Sequence, residues 1–328
     1  MKTEQNAAEM ASEPPPPAGN AEDVSQPEAR EPALSWWQHL SFALVDWLLW
    51  GICRLLTLKG VYGFGCAFGS VEWLINYKRR RRFAVALERV LGRPPTPAER
   101  RREGRFFVQR TRCAKIFSLL VARLPRDQVV GLLTITNREL LEAALARRRG
   151  VYLALSHHGD HHAVGTLLVL AGYRIAVVRD RDEGGVRAYV EQQFRRLHPD
   201  IEVPPILAAD VFPRRIYRCL HEGRILMSLM DVTNLRRANL RTHTVRVSGG
   251  ERKFLVGPMQ IALRCGAPIL QGFLATEPGF RYRLEVVDTL LDPEQVTDAE
   301  ADIRAAIERY AARVEGYGYQ QPGLLSRI

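Results

Sequence analysis

The chain has no C-x-x-C pair, and its five cysteines (Cys53, Cys66, Cys113, Cys219 and Cys265) are odd in number and widely spaced. That argues against a disulfide framework or a zinc knuckle and leaves small buried thiols in a reducing compartment. Residues 1–33 are not expected to act as a secretory leader, since they carry neither a positive n-region nor an apolar h-region. Those residues hold Pro14 to Pro17, Pro27 and Pro32, with seven acidic side chains against two basic ones and almost no large apolar groups. Such a composition predicts a disordered tail. There is no internal repeat and no nucleic-acid reader motif, and tryptophan is confined to Trp36, Trp37, Trp47, Trp50 and Trp73. No histidine is followed five residues later by Asp or Glu.

What is present is unevenly placed. Between Lys78 and Lys115 fourteen basic residues face Glu88, Glu99 and Glu103, a local excess of eleven that equals the +11 of the whole chain. A basic block of this kind points to an acidic partner: anionic lipid headgroups, an acidic carrier protein or nucleic acid. It follows the Trp-rich apolar stretch, which favours the first two. Leu40 to Leu58 is interrupted by only Asp46 and Arg54. As a helix it would be about 28 Å long, yet two mid-helix charges suit an interfacial amphipathic helix better than a span. Trp would sit at headgroup depth, Arg54 would snorkel, and the run Lys78 to Arg82 would face the cytoplasmic side. Residues 34–82 are therefore expected to anchor the protein to a membrane, with a folded domain over 83–328.

Within that domain, residues 83–150 read as a helical lead-in, where Thr96 caps a helix opening at Pro97. From Val151 onward strands alternate with helices. Val151 to Ser156 is a strand and Ala163 to Ala171 a helix. Strand Ile175 to Val178, helix Val186 to Leu197, a strand at Ile206 and a helix from Val211 to His221 follow. Strands over Arg224 to Met230, Thr244 to Ser248, Pro268 to Ala275 and Tyr282 to Asp288 precede a helix from Ala299 to Val314. The alternation predicts an α/β fold with a mixed, largely parallel sheet flanked by helices.

Open α/β sheets carry their sites just past the carboxyl ends of strands. His157-His158-Gly159-Asp160-His161-His162 falls at such a place and holds four of the chain's eight histidines. Two chemistries fit. A histidine can act as general base on a hydroxyl, oriented by a nearby acid that fixes its tautomer and stabilises the imidazolium. Alternatively, clustered His and Asp can ligate zinc, and Ser156 to His161 comes near an H-x-H-x-D-H pattern with Ser in place of the first His.

The hexad resembles the H-x-G-N-W-E block of the bacterial lipid A late acyltransferases, within the glycerophospholipid acyltransferase superfamily and its H-x4-D/E motif. Val178-Arg179 resembles that family's Val-Tyr-Arg stretch, and Arg224 to Asp231 its strand ending in a functional Asp. Gly249 with Gly257-Pro258 resembles its Phe-Phe-Gly and Thr-Gly-Pro pair. The resemblance implies a His general base that moves a fatty acyl group from acyl carrier protein or acyl-CoA to a hydroxyl of an anionic glycolipid such as a lipid A precursor. It implies no metal and no cofactor beyond the acyl donor. It places the enzyme on the cytoplasmic face of the bacterial inner membrane, with membrane lipids and acyl carrier protein as partners and no nucleic acid. His157 takes the catalytic position and Gly159 the shared glycine. The family's acid position holds His162, so Asp160 is expected to supply the carboxylate and His162 to be secondary. Arg179, Arg181, Asp231 and Gly257 are expected near substrate, Asp231 either orienting a site group or capping a turn. A zinc hydrolase and a catalytically degenerate lipid-binding homologue are the alternatives.

Overall fold

The computed structural model describes residues 35–179, 186–208, 213–231, 241–247 and 250–317. The N-terminal third is helical: α1 (Trp36–Leu55), α2 (Leu58–Ile75), α3 (Tyr77–Leu91) and α4 (Pro97–Leu120). The apolar stretch read as continuous from Leu40 to Leu58 breaks at Leu56, which is extended. Thr57 then caps the next helix by accepting from the Gly60 N–H. A hydroxyl cap satisfies an orphan amide and starts a new helix where apolar content alone would continue the old one. Thr96 and Glu99 form a reciprocal capping box at the start of α4, as the Pro97 signal implied.

Short elements α5 (Arg126–Val130), β1 (Leu133–Thr136) and α6 (Arg138–Ala146) lead into the core. There follow β2 (Val151–Leu155), α7 (Ala163–Leu170), β3 (Ile175–Arg179), α8 (Val186–Leu197), β4 (Ile206–Ala208), α9 (Pro213–His221) and β5 (Ile225–Leu229). A hairpin of β6 (Thr242–Val247) and β7 (Gly250–Leu255) precedes α10 (Gly257–Arg264), β8 (Ile269–Glu277), β9 (Arg281–Leu291) and α11 (Ala299–Tyr317). Among the described residues one seven-stranded sheet runs in the order β1-β9-β8-β2-β5-β3-β4. Its pairings are parallel except β8 with β9. The fold is thus α/β with a mixed, mostly parallel sheet flanked by helices, as expected. Part of the helix expected from Val211 lies outside the described residues. Strands β1 and β7 are additions to the reading from sequence.

Alternation across β2 separates two apolar layers. Val151, Leu153 and Leu155 join α7 and the helical lead-in on one face, while Tyr152 and Ala154 join α9, α10 and α11 on the other. All five β2 residues are buried, as a central parallel strand requires. The lead-in is part of this packing: Leu49, Val61 and Phe117 share a cluster with Leu153, Leu167 and Leu284. Gly69 makes the close approach of α2 to α4, since a Cβ there would meet the Gln109 backbone at 2.6 Å.

Asp46, one of the two charges interrupting the apolar stretch, faces inward at 1% exposure. It forms an ion pair with Arg123 and accepts from the Tyr189 hydroxyl at 3.1 Å. This fixes the roll of α1 and leaves Trp36, Trp37, Leu44, Trp47 and Leu48 on the outside. Arg54 lies over the Trp50 ring at 4.7 Å. Phe64, Phe68, Val71, Leu74 and Ile75 extend the exposed apolar surface along α2. Among the described residues no helix is long and apolar enough to cross a membrane.

Candidate active site

The site is set by strand register. Leu155 at the end of β2 pairs with Leu229 at the end of β5. Two residues beyond each partner stand His157 and Asp231, so two parallel neighbours deliver them side by side at the carboxyl edge of the sheet. The His157 backbone N–H donates to Asp231 Oδ1 at 3.1 Å and Oδ2 at 2.9 Å, and His157 Nδ1 lies 2.7 Å from Oδ1. Both residues are buried, at 1% and 2% exposure. Burial pushes the Asp231 carboxyl up, but the ring hydrogen bond, the His157 charge and the backbone N–H outweigh it, and the group sits below the usual aspartate value. An ionised carboxylate only accepts, so Nδ1 carries the proton and Nε2 is the ring nitrogen left to exchange one. That orientation is the one a histidine general base uses.

The rest of the hexad divides among other tasks. His158 is fully buried, shares a 2.6 Å hydrogen bond with Ser156 Oγ through Nδ1, and meets the Phe273 ring edge-on at 5.2 Å. Burial, opposed by Asp231 and assisted by the His157 charge, pulls it down to about 4, so it is neutral at physiological pH. Gly159 has φ +55°, and a Cβ there would lie 2.2 Å from the Leu274 carbonyl oxygen. Only glycine lets the loop cross β8 this closely. The Asp160 backbone N–H donates to Thr276 Oγ1 at 2.8 Å, and its Oδ2 accepts from the Tyr282 hydroxyl at 3.3 Å. Burial first, and Asp160 second, raise the Tyr282 hydroxyl well above its ordinary value. The His161 ring stands 4.6 Å from that of His157 and 4.0 Å from that of His162. His162 is exposed at the start of α7.

The carboxylate on the His157 ring is therefore Asp231. The contacts above put Asp160 against β8 and β9, and His162 next to His161. Arg179 closes β3 opposite Ala208. Its side chain lies outside the described residues, as do Arg181 and Gly249. Gly257 opens α10 with open space around a notional Cβ.

Comparison with known proteins adds no assignment. No family model matches the chain, and no curated protein matches it significantly.

Further residues of the site have no local signal in the sequence. The Tyr310 hydroxyl on α11 donates to the Leu155 carbonyl at 2.7 Å, buttressing the end of β2 from 155 positions away. Burial first, then Asp231 and Tyr152, raise that hydroxyl well above its ordinary value. Thr276 and Tyr282 hold the hexad loop from β8 and β9. Among the described residues no group of three or more His, Cys, Asp and Glu is arranged to hold a metal ion.

Proposed function

We propose that the protein is a membrane-surface acyltransferase in which His157 is the general base and Asp231 its orienting carboxylate. The 2.7 Å contact between His157 Nδ1 and Asp231 carries this reading. His157 Nε2 takes the proton of an acceptor hydroxyl as its oxygen attacks the thioester carbonyl carbon of acyl carrier protein or acyl-CoA. The carbon–sulfur bond breaks, and the imidazolium returns the proton to the departing thiolate. Asp231, itself buried, stabilises the imidazolium in between. Asp160 and His162 have supporting parts, Asp160 shaping the loop and His162 standing at its mouth. Arg179 and Gly257 remain candidate substrate contacts.

The surface supports the membrane part of the proposal. The N-terminal helices expose the outward apolar faces of α1 and α2 together with Lys78, Arg81 and Arg82 on α3 and Arg100, Arg101 and Arg105 on α4, and Arg105 donates to Ser70 on α2 at 3.0 Å. Arg112 lies over the Phe68 ring at 5.2 Å, so charge and apolar surface meet directly. This amphipathic design suits anionic headgroups at a bilayer surface, here the cytoplasmic face of a bacterial inner membrane, with an anionic glycolipid such as a lipid A precursor as acceptor. The test is transfer of labelled acyl chain from acyl carrier protein or acyl-CoA to extracted membrane lipid. The wild type should label one lipid class and His157→Ala should not. Label transfer that survives His157→Ala refutes the assignment. Activity lost to chelators and restored by Zn²⁺ would favour a metallohydrolase, and lipid binding without transfer a degenerate homologue.

A further inference from the structure

Two of the five cysteines, indistinguishable in the sequence, are brought together by the fold. Cys66 on α2 and Cys113 on α4 are 47 positions apart, and their sulfurs stand 3.8 Å from each other. Glycines permit this approach. A Cβ at Gly65 would lie 2.9 Å from Cys113 Sγ, and one at Gly69 would meet the Gln109 backbone, so α2 is pressed onto α4 along one seam. The surroundings of the two thiols differ. Cys113 is 2% exposed and donates to the Tyr62 carbonyl at 3.6 Å, while Cys66 is only half-buried, two positions from exposed Phe64 and Phe68 on either side. Burial first, and Cys66 second, push the Cys113 thiol well above its ordinary value. It therefore stays protonated, and the thiol that solvent reaches is Cys66.

We propose that Cys66 and Cys113 form a redox modification site, a dithiol that hydrogen peroxide closes into a disulfide joining α2 to α4. The Cys66 thiolate attacks one peroxide oxygen and the O–O bond breaks. Cys66 becomes a sulfenic acid, and the expelled hydroxide takes up the proton that the thiol released, giving water. The Cys113 sulfur then attacks the Cys66 sulfur. The S–O bond breaks, and the departing hydroxide takes the Cys113 proton as a second water. The two thiols lose two electrons, and one peroxide gains them. The sulfurs must close from 3.8 Å to about 2.05 Å, a shift of less than about 2 Å. In a reducing compartment such a bond is transient and is reversed by thiols, which separates it from a structural disulfide. The pair also lies one layer behind the hexad loop. Phe117, one turn along α4 from Cys113, packs on Tyr282 at 4.7 Å, and Tyr282 bonds Asp160. Nothing in this chemistry depends on acyl transfer.

The test treats the purified full chain with hydrogen peroxide, blocks the remaining thiols and maps peptides without reduction. The folded wild type should lose two hydrogens in mass, carry a linked Cys66–Cys113 peptide as its main cross-link, and recover both thiols with dithiothreitol. Unfolded in urea beforehand, the same chain should give mixed pairings among its five cysteines. Cys66→Ser should leave Cys113 reduced, and Cys113→Ser should stop at a Cys66 sulfenic acid that dimedone traps. If Cys113→Ser does not fold, the wild-type map and Cys66→Ser still decide. Both thiols fully blocked after peroxide, mixed pairings in the folded chain, or Cys66 over-oxidised with Cys113 still reduced would overturn the proposal.

Discussion

Replacing Asp231 by Asn keeps the side chain's shape and removes its charge, which isolates what the carboxylate does for His157. In the resting site the loss is modest, because Asn still offers one oxygen to either the ring or the backbone N–H. In the transition state the ring is positive, and a full counter-charge bonded through Nδ1 at 2.7 Å disappears. Two unit charges with centres about 4 Å apart interact by about 4 kcal/mol at an effective dielectric near 20. At about 1.4 kcal/mol per decade this corresponds to a loss of about 10³-fold in kcat. KM should stay within about twofold, since the pair is buried behind the ring. The assay is steady-state acyl transfer from a defined acyl donor, with thermal unfolding to confirm that the variant folds. Asp160→Asn should lose much less, because its side chain reaches Tyr282. Asp231→Asn within about tenfold of wild type, with Asp160→Asn far below both, would refute the reasoning and return the acid's role to Asp160.

Other outcomes follow from the same geometry. Gly159→Ala should destabilise the protein by about 2 kcal/mol or more in urea unfolding, because φ is +55° and the added carbon would lie 2.2 Å from the Leu274 oxygen. Asp231 is held below the usual aspartate range, so its stabilising contribution is complete above that range and is lost as pH falls through the depressed folded value. Acid unfolding should therefore be steeper at low pH in wild type than in Asp231→Asn. Trp37→Ala with Trp47→Ala should weaken binding to anionic vesicles about 10²-fold, at about 1.5 kcal/mol per exposed indole. Raised salt should weaken wild-type binding without abolishing it, and vesicle binding unaffected by either change would remove the membrane reading.

The sequence made some of this legible and hid the rest for identifiable reasons. An apolar run ending in four histidines announced both β2 and the site, because a buried parallel strand leaves little choice of pattern. Asp231 was visible as a strand-end acid. Its partnership with His157 depends on Leu155 pairing with Leu229, a register between strands 74 residues apart that no local pattern encodes. Nearness in sequence made Asp160 the natural candidate, while the turn at Gly159 carries it toward Thr276 and Tyr282. Asp46 looked like a flaw in an apolar helix until Arg123 and Tyr189 supplied its partners. Strand β7 was missed because Glu251-Arg252-Lys253 reads as solvated, although the middle residue is buried. Thr57 looked like part of a continuous run, and its cap divides the run into two helices.

The proposed transfer of a fatty acyl chain to a membrane lipid by His157, paired with Asp231, is open to direct test. Its most direct test is lipid mass spectrometry of otherwise identical cells carrying the wild type, His157→Ala or no copy of the protein. One lipid class should be heavier by a single acyl chain with the wild type, and unchanged with His157→Ala or without the protein. Lipid profiles that are the same in all three, or an acyl addition that persists with His157→Ala, would contradict it.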